Sequence, residues 1–276
     1  RCSRDWSSDV CSSDLIEGGE AYTNQTSVDL ELKYKNAIKI RVSEEEFDPQ
    51  DEELEFELIS DLVSSGVMSI EADLVTMHYQ YDFVEDDGLR AVTDGNKRIH
   101  VQFMADDGLG GETPSDILSA SIVLDTLEPQ LYEDPAPLLI NSGNAYTNSP
   151  LASLQFNVYD ENGVELVYVS DDGDHWTPSA YLPSLSHILS APQSDGLKTV
   201  YAYFVDPAGN RTEAVSDDIT LDTEKPVFVS FEILSDHVAL NGDKYTNTPS
   251  VQLDIAATGA SRMMLSNEMS FEGAVW

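Results

Sequence analysis

The chain has few basic residues, almost no cysteine and no long apolar run, and each shortage excludes a class of protein. It has 276 residues, with 14 Lys and Arg against 51 Asp and Glu, and a formal net charge of −37. So acidic a chain excludes nucleic-acid binding through basic patches and disfavours docking on anionic lipid. No apolar run reaches the ~18 residues that a membrane-spanning helix needs. Phosphate-binding glycine loops and nucleophile motifs are also missing, so we predict no enzyme.

Both cysteines, Cys2 and Cys11, lie among the first fifteen residues. Within that stretch, residues 5–15 (DWSSDVCSSDL) resemble the translation of a sequencing adapter. The resemblance implies that residues 1–15 are an artefactual or disordered leader. The leader holds two Arg and three Asp, so the acidity belongs to the remaining chain. A cysteine-free acidic chain is consistent with exported bacterial domains that need no disulfides.

Three short sequence markers recur in the same order, which indicates an internal repeat of about a hundred residues. Each first marker is followed by a run in which apolar and polar residues alternate. The markers are Tyr-Thr-Asn at 22–24, 146–148 and 245–247, Asp-Gly-x-Lys at 94–97 and 195–198, and Leu-Asp-Thr at 124–126 and 221–223.

The markers divide the chain after the leader into three units, at 16–127, 128–226 and 227–276. The first unit carries about 25 extra residues between Phe47 and Val75, which we expect to form a solvated loop or an added hairpin. The third has no counterpart of residues 199–205. We therefore expect it to be a truncated sandwich whose apolar residues are poorly ordered or prone to aggregate. These residues are Val251, Leu253, Ile255, Met263 and Leu265.

The second unit has the pattern of an antiparallel β-sandwich. Six or seven short apolar runs are separated by turn residues, and residues 199–205 form the longest and most aromatic of them. The fold class predicted for all three units is therefore all-β. We expect the core of the second unit to contain Phe156, Val158, Trp176 and one face of residues 199–205.

The order of these motifs resembles the Ig-like tandem repeats of bacterial surface and secreted proteins. The segments that carry the resemblance are VSDDGDHW at 169–176, DGLKTVYAYFVDPAGN at 195–210 and the Leu-Asp-Thr marker. The Tyr-Thr-Asn marker and the alternating run after it also belong to the pattern. The resemblance covers the second unit fully, the third as far as it extends, and the first only at its ends.

The resemblance implies a non-catalytic stalk or adhesin segment at a bacterial cell surface. Its partners would be the neighbouring repeats and a protein or polysaccharide ligand. The alternative is an accessory carbohydrate- or protein-binding module attached to a secreted hydrolase. Tyr201 and Tyr203 share one face of their strand, which either packs in the core or forms a carbohydrate platform.

The acidic turns allow two interpretations. Asp171, Asp172 and Asp174, with Asp160 from the neighbouring turn, could bind Ca²⁺ through carboxylate oxygens. Alternatively, Asp-Gly between two apolar runs is an ordinary hairpin turn. Asp125 and Asp222 precede the boundary prolines, and we interpret them as turn formers.

Overall fold

A computed structural model describes residues 16–44, 56–62, 68–71, 74–83, 92–106, 108–189, 194–235 and 237–272. Over these ranges the chain is nearly all β, arranged as tandem sandwiches, which confirms the predicted fold class. None of the described helices has the length and apolar character needed to cross a bilayer. The predicted leader, its two cysteines and residues 45–55 of the predicted insertion lie outside the described residues.

The first unit consists of two sheets that enclose one core. One sheet has the strand order β1-β9-β7-β3-β4, with β8 paired to β7, and the other has the order β2-β6-β5. The elements are β1 (Tyr22–Thr23), β2 (Ser27–Tyr34), β3 (Ala37–Ser43), β4 (Glu57–Leu58), α1 (Ile59–Leu62), β5 (Met68–Glu71), β6 (Leu74–Asp82), β7 (Gly95–Asp106), β8 (Glu112–Pro114) and β9 (Leu118–Leu124).

The extra residues of the first unit include β5, which forms a hairpin with β6. β5 pairs antiparallel with β6, beginning at Glu71 opposite Leu74. β6 in turn pairs with β2 along the full length of β2. β5 therefore extends this sheet at its edge.

The second unit repeats this two-sheet arrangement and adds one short two-stranded pair. Its sheets have the orders β12-β19-β18-β15-β16 and β11-β13-β17, and β10 pairs with β14. The strands are β10 (Gln130–Leu131), β11 (Leu138–Ile140), β12 (Tyr146–Thr147), β13 (Leu151–Phe156), β14 (Val158–Tyr159), β15 (Leu166–Ser170), β16 (Thr177–Ala180), β17 (Ser184–Ile188), β18 (Gly196–Val205) and β19 (Val215–Leu221).

The core of the second unit lies between β18 and the sheet that contains β13. Val200, Ala202 and Phe204 alternate along β18 and are fully buried, because successive strand residues point to opposite faces. Phe156 meets Phe204 edge to face at 5.3 Å between ring centroids. Val158 is half-buried and packs against this core. These four inner-face residues and Val158 confirm most of the predicted core.

The prediction that Trp176 belongs to the core is wrong. Trp176 precedes β16 and packs edge to face on Tyr203, with ring centroids 4.8 Å apart. Tyr203 lies on the face of β18 opposite Phe204. Trp176 therefore covers the outer surface of the sheet, where it is half-buried.

The third unit consists of two separate two-stranded sheets over its described residues. Its strands are β20 (Val227–Leu234), β21 (His237–Val238), β22 (Lys244–Tyr245) and β23 (Gln252–Thr258), with β20 paired to β23 and β21 to β22. Val251, Met263 and Leu265 are exposed, as predicted, whereas Leu253 and Ile255 are half-buried. Their disorder or aggregation stays a prediction.

Candidate functional site

The sequence markers of each complete unit meet at one end of its sandwich. In the first unit β1 pairs in parallel with β9, which places Tyr22 opposite Val123 and Thr23 opposite Leu124. In the second unit β12 and β19 pair in the same way. The Tyr-Thr-Asn and Leu-Asp-Thr markers are thus hydrogen-bonded neighbours, although about a hundred residues separate them in one unit and seventy-five in the other.

The Asp-Gly-x-Lys marker joins the same end through its aspartate. The Asp94 carboxylate accepts hydrogen bonds from the Thr126 backbone N–H at 3.0 Å and from its hydroxyl at 2.9 Å. Asp195 accepts the same two bonds from Thr223, at 2.6 and 2.8 Å. The backbone hydrogen bond from Thr223 holds the pKa of Asp195 below its usual range. This clamp fixes the chain where it leaves each unit.

A polar joint connects the first unit to the second. Asn162 Nδ2 donates to Asp125 Oδ2 at 2.8 Å, and Asn210 Nδ2 donates to the Asp125 carbonyl oxygen at 2.8 Å. A Cβ at Gly209 would lie 3.8 Å from Asn24 Nδ2, so that turn also touches the Tyr-Thr-Asn marker. We call Asn24, Asp125, Asp160, Asn162 and the 206–210 turn the first joint.

The 206–210 turn has the local structure that the joint requires. Asp206 Oδ1 accepts the backbone N–H of Asn210 at 2.9 Å, and Asp206 Oδ2 accepts from Asn210 Nδ2 at 2.8 Å. Gly209 has a φ of +88°, a backbone angle that residues other than glycine rarely adopt. The turn therefore orients Asn210 toward Asp125 before the two units meet.

The first joint also brings three carboxylates together. Asp125, Asp160 and Asp206 place ligand oxygens within 4.8 Å of one another, and Asp125 and Asp206 are buried. Burial, followed by the charges of Asp125 and Asp206, raises the pKa of Asp160. Carboxylate oxygens are the ligands that Ca²⁺ prefers, so these residues could hold such an ion. Sequence analysis had placed Asp160 beside Asp171, Asp172 and Asp174 instead.

The three aspartates predicted as a calcium site have separate partners, and the Asp172 carboxylate caps a turn. Asp172 Oδ1 accepts the backbone N–H groups of Asp174 and His175 at 2.9 and 2.8 Å, and these bonds lower the Asp172 pKa. Asp171 Oδ1 lies 2.7 Å from His187 Nε2. Within the described residues, the group of three carboxylates that converges is the one at the first joint. Calcium binding by Asp171, Asp172 and Asp174 stays a prediction.

The outer face of the second unit carries an aromatic cluster. Tyr168 and Tyr203 stack with ring centroids 4.6 Å apart and an interplanar angle of 8°. Trp176 packs on Tyr203, and the Arg211 guanidinium lies 5.5 Å from the centre of the same ring. Aromatic and cation–π packing of this kind stabilises a sheet surface and can also form a binding platform.

Comparison with known proteins gives only distant likenesses. No protein-family model matches the chain, and no curated protein matches it. Similar solved structures include the fibronectin(III)-like modules of Clostridium thermocellum CbhA, at 9% identity, 75% of this chain, 92% of that chain and a TM-score of 0.40. The chicken CNTN1 FN1–FN3 domains are 14% identical, with 77% of this chain and 66% of that chain covered and a TM-score of 0.36. A tetra-tandem repeat from the extending region of a large adhesion protein is 16% identical, with 81% of this chain and 51% of that chain covered and a TM-score of 0.26. These scores are too low to carry an argument about function.

Proposed function

We propose that the chain is a non-catalytic structural segment, a stalk or adhesin repeat array, of a large bacterial protein that is exported or displayed at the cell surface. The first joint is the observation that carries this proposal. A joint in which turns of one sandwich bind the exit strand of the preceding one serves to set the geometry of an array.

The energetics of the joint favour a fixed angle between the units. Domains joined only by a linker move relative to each other by default. Here Asp125 is 4% exposed and receives donors from two separate turns of the second unit. The hydrogen bond to the Asp125 carboxylate contributes about 1.5–3 kcal/mol net and the one to its carbonyl oxygen about 0.5–1.5 kcal/mol, so separating the units is unfavourable. The charge of −37 keeps neighbouring arrays apart by repulsion.

Distance measurements between spin labels test whether the first joint is fixed. Labels on Thr113→Cys in the first unit and Thr177→Cys in the second, with Cys2 and Cys11 changed to Ser, report the angle between the sandwiches. We expect one narrow distance distribution. Asn210→Ala should broaden it, whereas Asn241→Ala in the third unit should leave it unchanged. A broad distribution in the parent chain would contradict the stalk proposal.

A second candidate function is binding of carbohydrate or protein by the outer aromatic cluster. The stacked pair of Tyr168 and Tyr203 favours it, because stacked rings with an adjacent Arg211 present apolar edges beside a cation. Affinity electrophoresis through soluble polysaccharides tests this candidate. Retardation that Tyr168→Ala removes and Tyr159→Ala leaves intact supports a binding module. Equal mobility with and without each polysaccharide excludes carbohydrate binding there.

A further inference from the structure

Asn162 and Gly163 form an Asn-Gly dipeptide in the turn between β14 and β15, where the second unit meets the first. Gly163 is exposed and has a φ of +93°, a backbone angle that glycine adopts without strain. Asparagine is among the chemically labile residues of proteins. Because glycine has no Cβ, its backbone nitrogen can approach the side-chain carbonyl carbon of the asparagine before it, and this approach is the first step of deamidation.

Deamidation at this dipeptide needs no reactant other than water. The Gly163 nitrogen loses its proton to hydroxide and attacks Cγ of Asn162, which closes a five-membered imide ring. The Cγ–Nδ2 bond breaks, and the nitrogen leaves as ammonia with a proton from water. Water then opens the ring at Cγ, which gives aspartate, or at the main-chain carbonyl carbon, which gives isoaspartate. Either product carries a carboxylate where the asparagine carried an amide.

Both reacting groups are held by hydrogen bonds while the first joint is closed. Asn162 Nδ2 donates to Asp125 Oδ2 at 2.8 Å, and the amide must leave this acceptor before it is expelled. The Gly163 N–H donates to the Asp160 carbonyl oxygen at 3.3 Å, so the attacking nitrogen is also engaged. The converging carboxylates of Asp125, Asp160 and Asp206 disfavour the loss of a proton from that nitrogen. The reaction therefore proceeds through local opening of the joint.

The product of deamidation is incompatible with the closed joint. Asn162 supplies a donor to the Asp125 carboxylate, and Asp125 is only 4% exposed. A carboxylate at position 162 has no proton to donate at neutral pH, and it adds a fourth negative charge to the three that already converge.

We propose that Asn162-Gly163 is a site of spontaneous deamidation, which the closed first joint slows and which, once converted, opens that joint irreversibly. The chemical step is independent of the proposed stalk role. The loss of a fixed angle between the units rests on that role.

The third unit contains the same dipeptide as an internal standard, at Asn241 and Gly242. The Asn241 amide donates to Asp243 Oδ2 at 2.7 Å, and the Gly242 N–H donates to the Ala239 carbonyl oxygen at 2.9 Å. Both of these acceptors lie in the same turn as the dipeptide. Opening the first joint should therefore change the deamidation rate at Asn162 and leave the rate at Asn241 unchanged.

Peptide mapping by mass spectrometry measures both rates in one full-length chain at mildly alkaline pH. Asp125→Ala should raise the rate at Asn162, relative to Asn241, at least about tenfold, because it removes a hydrogen bond to a charged group. Asn210→Ala, which loosens the joint without changing the acceptor of Asn162, should raise this ratio by a smaller factor. The chain unfolded in urea gives the unrestrained rate of each dipeptide.

Two kinetic results would overturn the proposal. One is an equal rate ratio in the parent and Asp125→Ala chains. The other is no conversion at Asn162 in the Asp125→Ala chain under conditions that convert it in urea. If Asp125→Ala unfolds the second unit, seen as lost hydrogen-exchange protection of β18, the Asn210→Ala chain decides, and a ratio equal to that of the parent rejects the proposal.

The effect on the joint is measured with Asn162→Asp in the chain that carries spin labels on Thr113→Cys and Thr177→Cys. We expect a broadened distance distribution, whereas Asn241→Asp should leave the distribution of the parent. A parent-like distribution in Asn162→Asp rejects the opening of the joint. If the parent distribution is itself broad, the stalk proposal fails, and the deamidation rates still decide the chemical step.

Discussion

The first joint and the cleft between the second and third units contain the same sequence markers, yet the environments of these markers differ. Asp125 and Asp222 each accept the backbone N–H two residues ahead, and the residue after each is clamped by an aspartate. Asp125 is buried by the next unit, whereas Asp222 faces an open cleft. The Leu-Asp-Thr marker therefore determines the hydrogen bonds around its aspartate. The turns of the neighbouring sandwich determine whether that aspartate is buried.

The second and third units show the same division in their cores. Strand pairing is alike, with isoleucine opposite leucine in both, but only the second unit has a described opposing sheet. Strand pairing thus follows from local alternation, and core burial requires the second layer. Each prediction below tests one side of this comparison, in order of decreasing effect.

The largest expected difference lies between two phenylalanines. Phe204→Ala should destabilise the second unit by about 3–5 kcal/mol, because it leaves a cavity beneath β18. Phe231→Ala in the third unit should change stability by less than about 0.5 kcal/mol, since its side chain is half exposed. Urea denaturation measures both, with hydrogen exchange assigning one transition to residues 128–226 for Phe204→Ala and another to residues 227–258 for Phe231→Ala. Equal costs would show that the third unit has a closed core.

Asn210→Ala should cost about 1–3 kcal/mol, because it removes donors from the buried Asp206 carboxylate and from the Asp125 carbonyl oxygen. Ser261→Ala, at the cleft that Asp222 lines between the second and third units, is the control and should be neutral. The same denaturation experiment measures both variants. If Asn210→Ala leaves the free energy of unfolding unchanged, water replaces the Asn210 hydrogen bonds without loss of stability.

Trp176→Ala should cost about 1–2 kcal/mol, less than a core tryptophan, because the ring is half-buried and loses its contact with Tyr203. Denaturation monitored by circular dichroism measures the loss, with Tyr159→Ala as an exposed aromatic control. A cost of about 4 kcal/mol would restore the core assignment that the sequence predicted.

Asp160→Asn should stabilise the chain at neutral pH by about 0.5 kcal/mol, because it removes one of three converging charges. The folded-state pKa of Asp160 is raised, so its ionised form is disfavoured on folding. This penalty is full above the raised pKa and is relieved as the pH falls toward the unfolded value of about 3.9. The difference between variant and parent should therefore shrink between neutral pH and about pH 4. If the stability difference between Asp160→Asn and the parent chain grows on acidification, the Asp160 carboxylate is stabilised, not penalised, in the folded state.

The smallest expected effect concerns calcium at Asp171, Asp172 and Asp174. Thermal melts in millimolar CaCl₂, in MgCl₂ and in NaCl of equal ionic strength separate binding from screening. Because the Asp172 carboxylate already accepts turn hydrogen bonds, we expect no calcium-specific shift that Asp172→Ala abolishes. A specific shift lost in that variant establishes the predicted site.

Sequence reasoning succeeded where periodicity carries the information. The alternation along residues 199–205 predicted the strand and which residues share a face, because side chains on a strand alternate with period two, but it left open which face is the inner one. Trp176 follows a turn and lies outside any alternating run, so its face could not be predicted from periodicity. Trp176 packs against Tyr203, which lies on the outer face of the sheet.

The first joint could not be derived from sequence for a different reason. Asp125, Asp160 and Asp206 belong to a linker and to two turns of the following unit, and the nearest two are 35 residues apart. Each residue separately fits an ordinary turn, which was the interpretation given to Asp125. Their convergence depends on how one sandwich sits on the next. The available signal was the repeated position of Asp125 and Asp222 just before each boundary.

The parallel pairing of β1 with β9 and of β12 with β19 has a mechanical consequence. In each complete unit, a strand near the point where the chain enters lies beside the strand by which it leaves, and both run in the same direction. Tension along the array pulls two such strands in opposite directions along their own axes. The bonds from Val123 to Ala21 and from Asp125 to Thr23 then share the load and must break together, as must their counterparts in the second unit. An unzipping geometry would break them one at a time, so these sandwiches should resist stretching better than their modest pairing suggests.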